Sequence, residues 1–344
     1  YAFTNLFGIV VGILCERMDT RLVTFIGGVI MGLALVIASF IKVVWGLILT
    51  QGVLFGIGSA FCFIPPCSLP SQWFTKKRGL AIGLVVAGSG VGGIWVTPTV
   101  HAMINSIGYA WALRISGILI FAINTSVCWF MRPFFPPQKR DTIIDFTALK
   151  DIRFVIIFTS AMFGTSAYFS PFFYLPRYAM VLGGRSRSFG TKMIMSINAA
   201  SVVGRVLTGF IADRLGKINM LVCCTTIAAL SIFVLWLPFH ASGTMIAMTI
   251  IYGLFCGGFI SLLPVVIAEL FGVARISNVI GLLYIANFCG SLIGPPSMGA
   301  ILDNIGHDTN FVPIIVFAGS FMAAAAAFQV ILRFIVTRNP FAKV

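Results

Sequence analysis

Apolar runs long enough to cross a membrane follow one another from end to end of this chain. They lie at about 22–41, 44–70, 79–103, 110–131, 152–176, 191–211, 218–237, 244–268, 278–301 and 312–335, with a shorter one at about 1–14. A helix rises 1.5 Å per residue, so about 20 residues span a hydrocarbon layer of about 30 Å. Ten runs meet that length and the first does not. Lipid must therefore be the solvent for most of the chain. Composition agrees: 59% of the 344 residues are hydrophobic and 9% are charged, against roughly 25% charged in soluble proteins. A soluble enzyme, a secreted disulfide scaffold and a disordered tail are excluded. In lipid a backbone must close its own hydrogen bonds, and runs of this length do so as helices. The expected fold class is all-α and integral to the membrane.

The net charge of +14 suggests a nucleic-acid partner only until the 23 basic residues are placed. They fall in short clusters between apolar runs, as topology signals do. Sixteen lie at alternate loops, among them Arg17, Lys76, Lys77, Arg214 and Arg338, and five at the opposite loops. The positive-inside rule places the richer side, and with it the C-terminus, in the cytoplasm. No nucleic-acid partner is expected. Eight cysteines form no C-x-x-C pair and three histidines are scattered, so no metal site or cofactor is expected.

The chain repeats itself. Gly12-x-x-x-Glu16-Arg17 and Gly209-x-x-x-Asp213-Arg214 share one spacing 197 residues apart, each where an apolar run ends. Around them stand Arg21 in the first copy and Gly216 and Lys217 in the second. A carboxylate there can bind the dipole-positive start of a neighbouring helix and pair with the adjacent arginine, latching the cytoplasmic side. Two copies flanking a polar connector indicate a duplicated bundle. The expected organisation is an N-terminal bundle at 1–131, a connector at 132–151 and a C-terminal bundle at 152–344. The second copy has about 46 more residues before it within its half than the first. The expectation is two halves of six helices, with eleven of twelve present and the first helix missing.

This duplicated motif resembles the major facilitator superfamily, and other stretches are similar to its monocarboxylate-porter-like branch, especially fungal members. The most specific is Gln72-Trp-Phe-Thr-Lys-Lys-Arg-Gly-Leu-Ala-Ile-Gly83 followed by Ala87-Gly88-Ser89; Asn198-Ala-Ala-Ser201-Val-Val-Gly204-Arg205 and Gly257-Gly-Phe-Ile-Ser-Leu-Leu-Pro264 are others. The resemblance implies two pseudo-symmetric six-helix bundles working by alternating access.

Two arginines, Arg114 and Arg205, fall well inside apolar runs, and each costs about 2.5–3.5 kcal/mol at a helix centre. Arg205 lies among Ala199, Ala200, Ser201 and Gly204, and its permanently charged fork suits a carboxylate. The resemblance implies the same role, because the eighth-helix arginine of monocarboxylate porters binds the substrate anion. Arg114, beside Tyr109 and Trp111, reads as an interfacial anchor. Asn198 and Asn287 are further substrate-site candidates, since an amide in lipid requires a partner; Ser201, Phe255, Phe259 and Tyr168 complete the set. Proton-coupled members carry an Asp one turn before this arginine and a first-helix Lys; here Ser201 stands at that turn and no acid falls at mid-membrane. Proton symport and facilitated diffusion both stay open.

The expected function is secondary or facilitative transport of a small organic anion, favouring a monocarboxylate, with protons as a possible second partner. The chain is expected to be monomeric and in the plasma membrane. The alternatives are export of a fungal secondary metabolite or uptake of a flavin-type compound by the same fold, and a truncated paralogue that does not transport. No nucleophile, metal cluster or mid-membrane carboxylate pair supports an enzyme.

Overall fold

A computed structural model describes residues 2–74, 76–131, 146–238, 242–272, 276–307 and 309–339. Among them are fourteen α-helices and no strand: α1 Ala2–Leu6, α2 Gly8–Arg17, α3 Thr20–Ala38, α4 Val44–Leu47, α5 Phe55–Trp73, α6 Arg78–Ile107, α7 Tyr109–Cys128, α8 Ile152–Tyr168, α9 Ser170–Val181, α10 Arg187–Leu215, α11 Lys217–Ser231, α12 Ser242–Phe271, α13 Ile276–Asn304 and α14 Val312–Val336. Seven residues of π-helix, Ile48–Leu54, join α4 to α5. Joined where they are continuous, the helices make ten spans long and apolar enough to cross a membrane. The short first run is two pieces, interrupted at Phe7. Most of the expected connector, residues 132–145, lies outside the described residues, as do Arg275, Asp308 and the side chain of Glu16.

Helix starts follow local chemistry. Asp19 caps α3, accepting from the Arg21 N–H at 3.0 Å. Asp151 caps α8, accepting from the Arg153 N–H at 2.9 Å and from its guanidinium at 2.7 Å. That side-chain hydrogen bond holds the Asp151 carboxyl below its ordinary range. Pro171 stands at the start of α9 just after a break at Phe169. Pro65, Pro66, Pro176, Pro264, Pro295 and Pro296 lie inside helices.

The chain divides into two compact units, each taking one part of α6 and one part of α13: Tyr1–Thr75, Trp95–Asp145 and Phe271–Phe288 form one, and Lys76–Ile94, Phe146–Leu270 and Cys289–Val344 the other. In the first, Val11, Val23, Ala60, Ile64 and Tyr284 make a buried cluster. Arg114 donates to Ser39 Oγ at 3.0 Å and lies over the Phe40 and Trp111 rings at 4.4 and 5.0 Å.

In the second unit α10 and α12 meet along small residues. A Cβ on Gly253 would stand 2.6 Å from the Ile197 carbonyl, one on Gly257 2.7 Å from Ser201 Oγ, and one on Gly204 would overlap the Leu254 carbonyl. Close backbone approach is how helices associate in lipid, where apolar contact alone has little driving force. Between α8 and α14, fully buried Gln329 donates to Ser160 Oγ at 3.0 Å, and Ser160 donates on to the Ala325 carbonyl at 3.0 Å. Gln329 Oε1 has no partner. Because that acceptor is already unsatisfied, Gln329→Met is expected to change stability by no more than about 1 kcal/mol in either direction. Thermal unfolding of the detergent-purified protein measures this, and a large loss would assign the amide an indispensable partner.

Candidate functional site: a buried arginine and a carboxylate latch

The second unit holds Arg205 on α10, 6% exposed. Its Nη1 donates to the Val86 carbonyl at 2.6 Å and to Ser89 Oγ, both on α6. Nη2 donates to the Tyr168 hydroxyl at the end of α8, 3.3 Å away. Nε has no acceptor. All these acceptors are neutral, and among the described residues no carboxylate pairs with this guanidinium. One turn earlier, Ser201 Oγ is buried and also lacks a partner. Two polar atoms of one helix thus lie out of water with unused hydrogen-bonding capacity, which costs about 1–3 kcal/mol for each neutral group and more for a charged one. A carboxylate would accept from Nε and neutralise the charge together.

Tyr168 is fixed behind the arginine. Its carbonyl accepts from Tyr252 of α12 at 2.8 Å, and its ring packs with Phe169 and Phe172 at centroid distances of 4.9 and 5.7 Å. Of the expected site residues, the structure therefore brings Arg205 and Tyr168 into contact and puts Ser201 one turn away. Asn198 turns back to its own helix, donating to the Ile194 carbonyl at 3.1 Å, and abuts Gly93. Phe259 is fully buried with its ring against Gly164, a packing position. Phe255 is half-buried on α12, and Asn287 is buried in the first unit. Sequence reasoning missed Ser89 and Val86 as partners. Ser89 stood inside a quoted motif, but nothing in its spacing pointed to a residue 116 positions away.

Asp213 accepts from the N–H groups of Gly79 and Leu80, each at 3.1 Å, satisfying two free donors at the start of α6. The expected pairing with the adjacent arginine does not form: the Arg214 guanidinium lies over the Phe210 ring at 4.3 Å. Two backbone donors already use both carboxylate oxygens, and the aromatic face gives the cation another seat. A Cβ on Gly79 would stand 2.6 Å from the Gly209 carbonyl, so these glycines let α6 approach α10. Gly216 ends α10 with φ 104°, and Lys217 pairs with Glu269 at 3.2 Å. In the first copy Gly12 is buried and Arg17 exposed. Arg21 donates to the Met131 carbonyl at 2.7 Å, near the end of α7. We expect Asp213→Ala to lower stability by about 0.5–2 kcal/mol and Arg214→Ala by less. Thermal unfolding of the two variants side by side checks that order.

The sequence profile of the Major Facilitator Superfamily matches residues 1–222 and again 186–344. This chain belongs to that superfamily. It is 35% identical over 337 residues to the MFS-type transporter pynF of Aspergillus niger, covering 95% of this chain and 76% of pynF. It is 32% identical over 317 residues to the aspyridones efflux protein apdF of Emericella nidulans, covering 92% of this chain and 64% of apdF. Its fold is similar to the crystal structure of FucP, a Major Facilitator Superfamily transporter, with a TM-score of 0.74 at 15% identity, over 96% of this chain and 88% of that one. These proteins are described as transporters or efflux proteins. The chain is accordingly a multi-pass membrane transporter.

Proposed function

We propose that this transporter exports an organic anion of secondary metabolism, with Arg205 as the counter-charge of the substrate's acidic group. One observation carries the reading: a guanidinium 6% exposed, surrounded by neutral acceptors, with Nε unfilled. An uncompensated charge in such surroundings is costly, and a bound anion removes that cost. The direction and the larger substrate are supported by relatives described as efflux proteins for aspyridones, agnestins and fujikurins. A small monocarboxylate is the second reading, favoured by the arginine alone. Asn198, Ser201 and Phe255 are proposed to contribute to the substrate path, with Tyr168 holding the guanidinium and Phe259 packed against Gly164. Alternating access between halves at 1–131 and 152–344 moves the site, and the latch around Asp213 stabilises one state. We place the protein in the plasma membrane as a monomer, with its C-terminus cytoplasmic.

The test is efflux from cells expressing the chain, loaded in turn with labelled short monocarboxylates, riboflavin and larger aromatic carboxylic acids. Faster loss of the larger acids than from control cells is expected. Export of riboflavin with retention of every acid would contradict the anion assignment.

A further inference from the structure

In the first unit, α3 and α7 approach closely near the end of α3. A Cβ on Gly117 would stand 2.7 Å from the Gly32 carbonyl, and one on Gly32 would stand 3.0 Å from the Gly117 carbonyl. One turn from Gly117, this approach brings Arg114 against the end of α3, where its Nε donates to Ser39 Oγ. Ser39 donates on to the Val36 carbonyl at 2.6 Å. The Phe40 and Trp111 rings lie against the guanidinium. Its outer edge, carrying Nη1 and Nη2, has no acceptor among the described residues.

The unit supplies no counter-charge at this end. Within residues 1–131 the only acids are Glu16 and Asp19, and Asp19 caps the opposite end of α3, about 30 Å away. Lys42, exposed and three residues past Ser39, adds a second cation instead. Arg114 lies five residues into α7, about 8 Å from its start. A helix of 20 residues matches the hydrocarbon thickness, so its long side chain reaches the polar layer of the bilayer. Around the two cations, Phe40, Val43, Val44, Trp45 and Trp111 are exposed, an aromatic and apolar apron suited to the boundary between headgroups and acyl chains. A half-buried guanidinium at that depth calls for an anion, and its open fork fits two phosphate oxygens. The apron favours a phosphate that carries acyl chains over one free in water.

We propose that Arg114 and Lys42 bind the phosphate of a phospholipid in the leaflet at this end of α3, with its acyl chains along Phe40, Trp45 and Trp111. The bound lipid ties the loop at 39–43 to the start of α7. The site lies in the first unit and is independent of the reading of Arg205.

The full chain, purified in detergent and stripped of lipid, is titrated with three probes. Palmitoyl-oleoyl-phosphatidylcholine carries phosphate and chains, palmitoyl-oleoyl-glycerol the same chains without phosphate, and glycerophosphocholine the phosphate without chains. Native mass spectrometry counts the molecules bound to the parent, to Arg114→Gln and to Lys42→Gln. The parent should fill one phosphatidylcholine site whose affinity falls about fivefold or more in Arg114→Gln and about two- to fivefold in Lys42→Gln. Palmitoyl-oleoyl-glycerol should bind all three proteins weakly and alike, a comparison that a merely structural role for Arg114 would not produce. Parental phosphatidylcholine affinity in Arg114→Gln, or equal binding of the two lipids by the parent, would overturn the proposal. Competition by glycerophosphocholine as strong as by the intact lipid would make the occupant a soluble phosphate and overturn it too. Should Arg114→Gln not be recovered folded, Lys42→Gln, altered only at an exposed side chain, decides by the same criteria.

Discussion

Replacing Arg205 by alanine is expected to reduce transport by about 30-fold to more than 1,000-fold, with membrane insertion unchanged. The range follows from the cost of removing one partner of a buried, hydrogen-bonded charge pair, about 2–5 kcal/mol, at 1.4 kcal/mol per tenfold. Insertion should survive because the variant removes a buried charge that lipid disfavours. The bonds lost inside the protein, to Val86, Ser89 and Tyr168, all involve neutral acceptors. Arg205→Lys should fail nearly as badly. An ammonium carries the charge but not the planar fork that reaches α6 and α8 together. Uptake and efflux at matched surface expression measure the effect, and undiminished flux in Arg205→Ala would remove the residue from the site.

The second large effect concerns folding. Gly204→Val is expected to abolish recoverable folded protein, because its Cβ would overlap the Leu254 carbonyl. A backbone carbonyl in a packed helix cannot swing aside as a flexible side chain can, so α10 and α12 must separate. Overpacking of this kind costs about 1–3 kcal/mol and occasionally more, and here it opens the seam that carries Gly253 and Gly257 and lies beside Ser201 and Arg205. Gly88→Val on α6 is the internal control. Its Cβ meets nothing, and the protein should be recovered at near parental yield. Fluorescence-detected size exclusion of the tagged variants compares the two, and equal recovery would contradict the close α10–α12 approach.

Most of the architecture was legible in the sequence because lipid imposes a one-dimensional rule. Apolar length reports the spans, and the ten long runs correspond to ten spanning helices, with ends shifted by a few residues. The first run was rightly short, but its interruption at Phe7 left no mark in composition. Arg205 stood out because an arginine in an apolar run is expensive wherever it points. Its partners did not stand out. Val86 contributes a carbonyl that every residue possesses, and Ser89 is one of many serines. Gln329 and Arg333 were missed for a related reason. Arg333 looked like a topology charge near a helix end, yet it is 8% exposed and donates to Asn219 Oδ1 at 2.7 Å. The spacing of the repeat identified Asp213 as a helix-binding carboxylate and misassigned Arg214. Sequence adjacency implied a pair, whereas successive helical residues point about 100° apart.

The central claim is that Arg205 recognises an acidic group. Binding of 1-naphthoate and of its neutral counterpart 1-naphthamide to the purified protein, and to its Arg205→Gln variant, addresses it directly by tryptophan fluorescence titration. The acid and the amide are similar in size and shape and differ in charge and in one acceptor oxygen exchanged for an NH2 donor, the two features a guanidinium reads. The account predicts that the parent prefers the acid by about tenfold or more and that Arg205→Gln binds the two alike. Equal binding of acid and amide by the parent, or a preference that survives in Arg205→Gln, would contradict it.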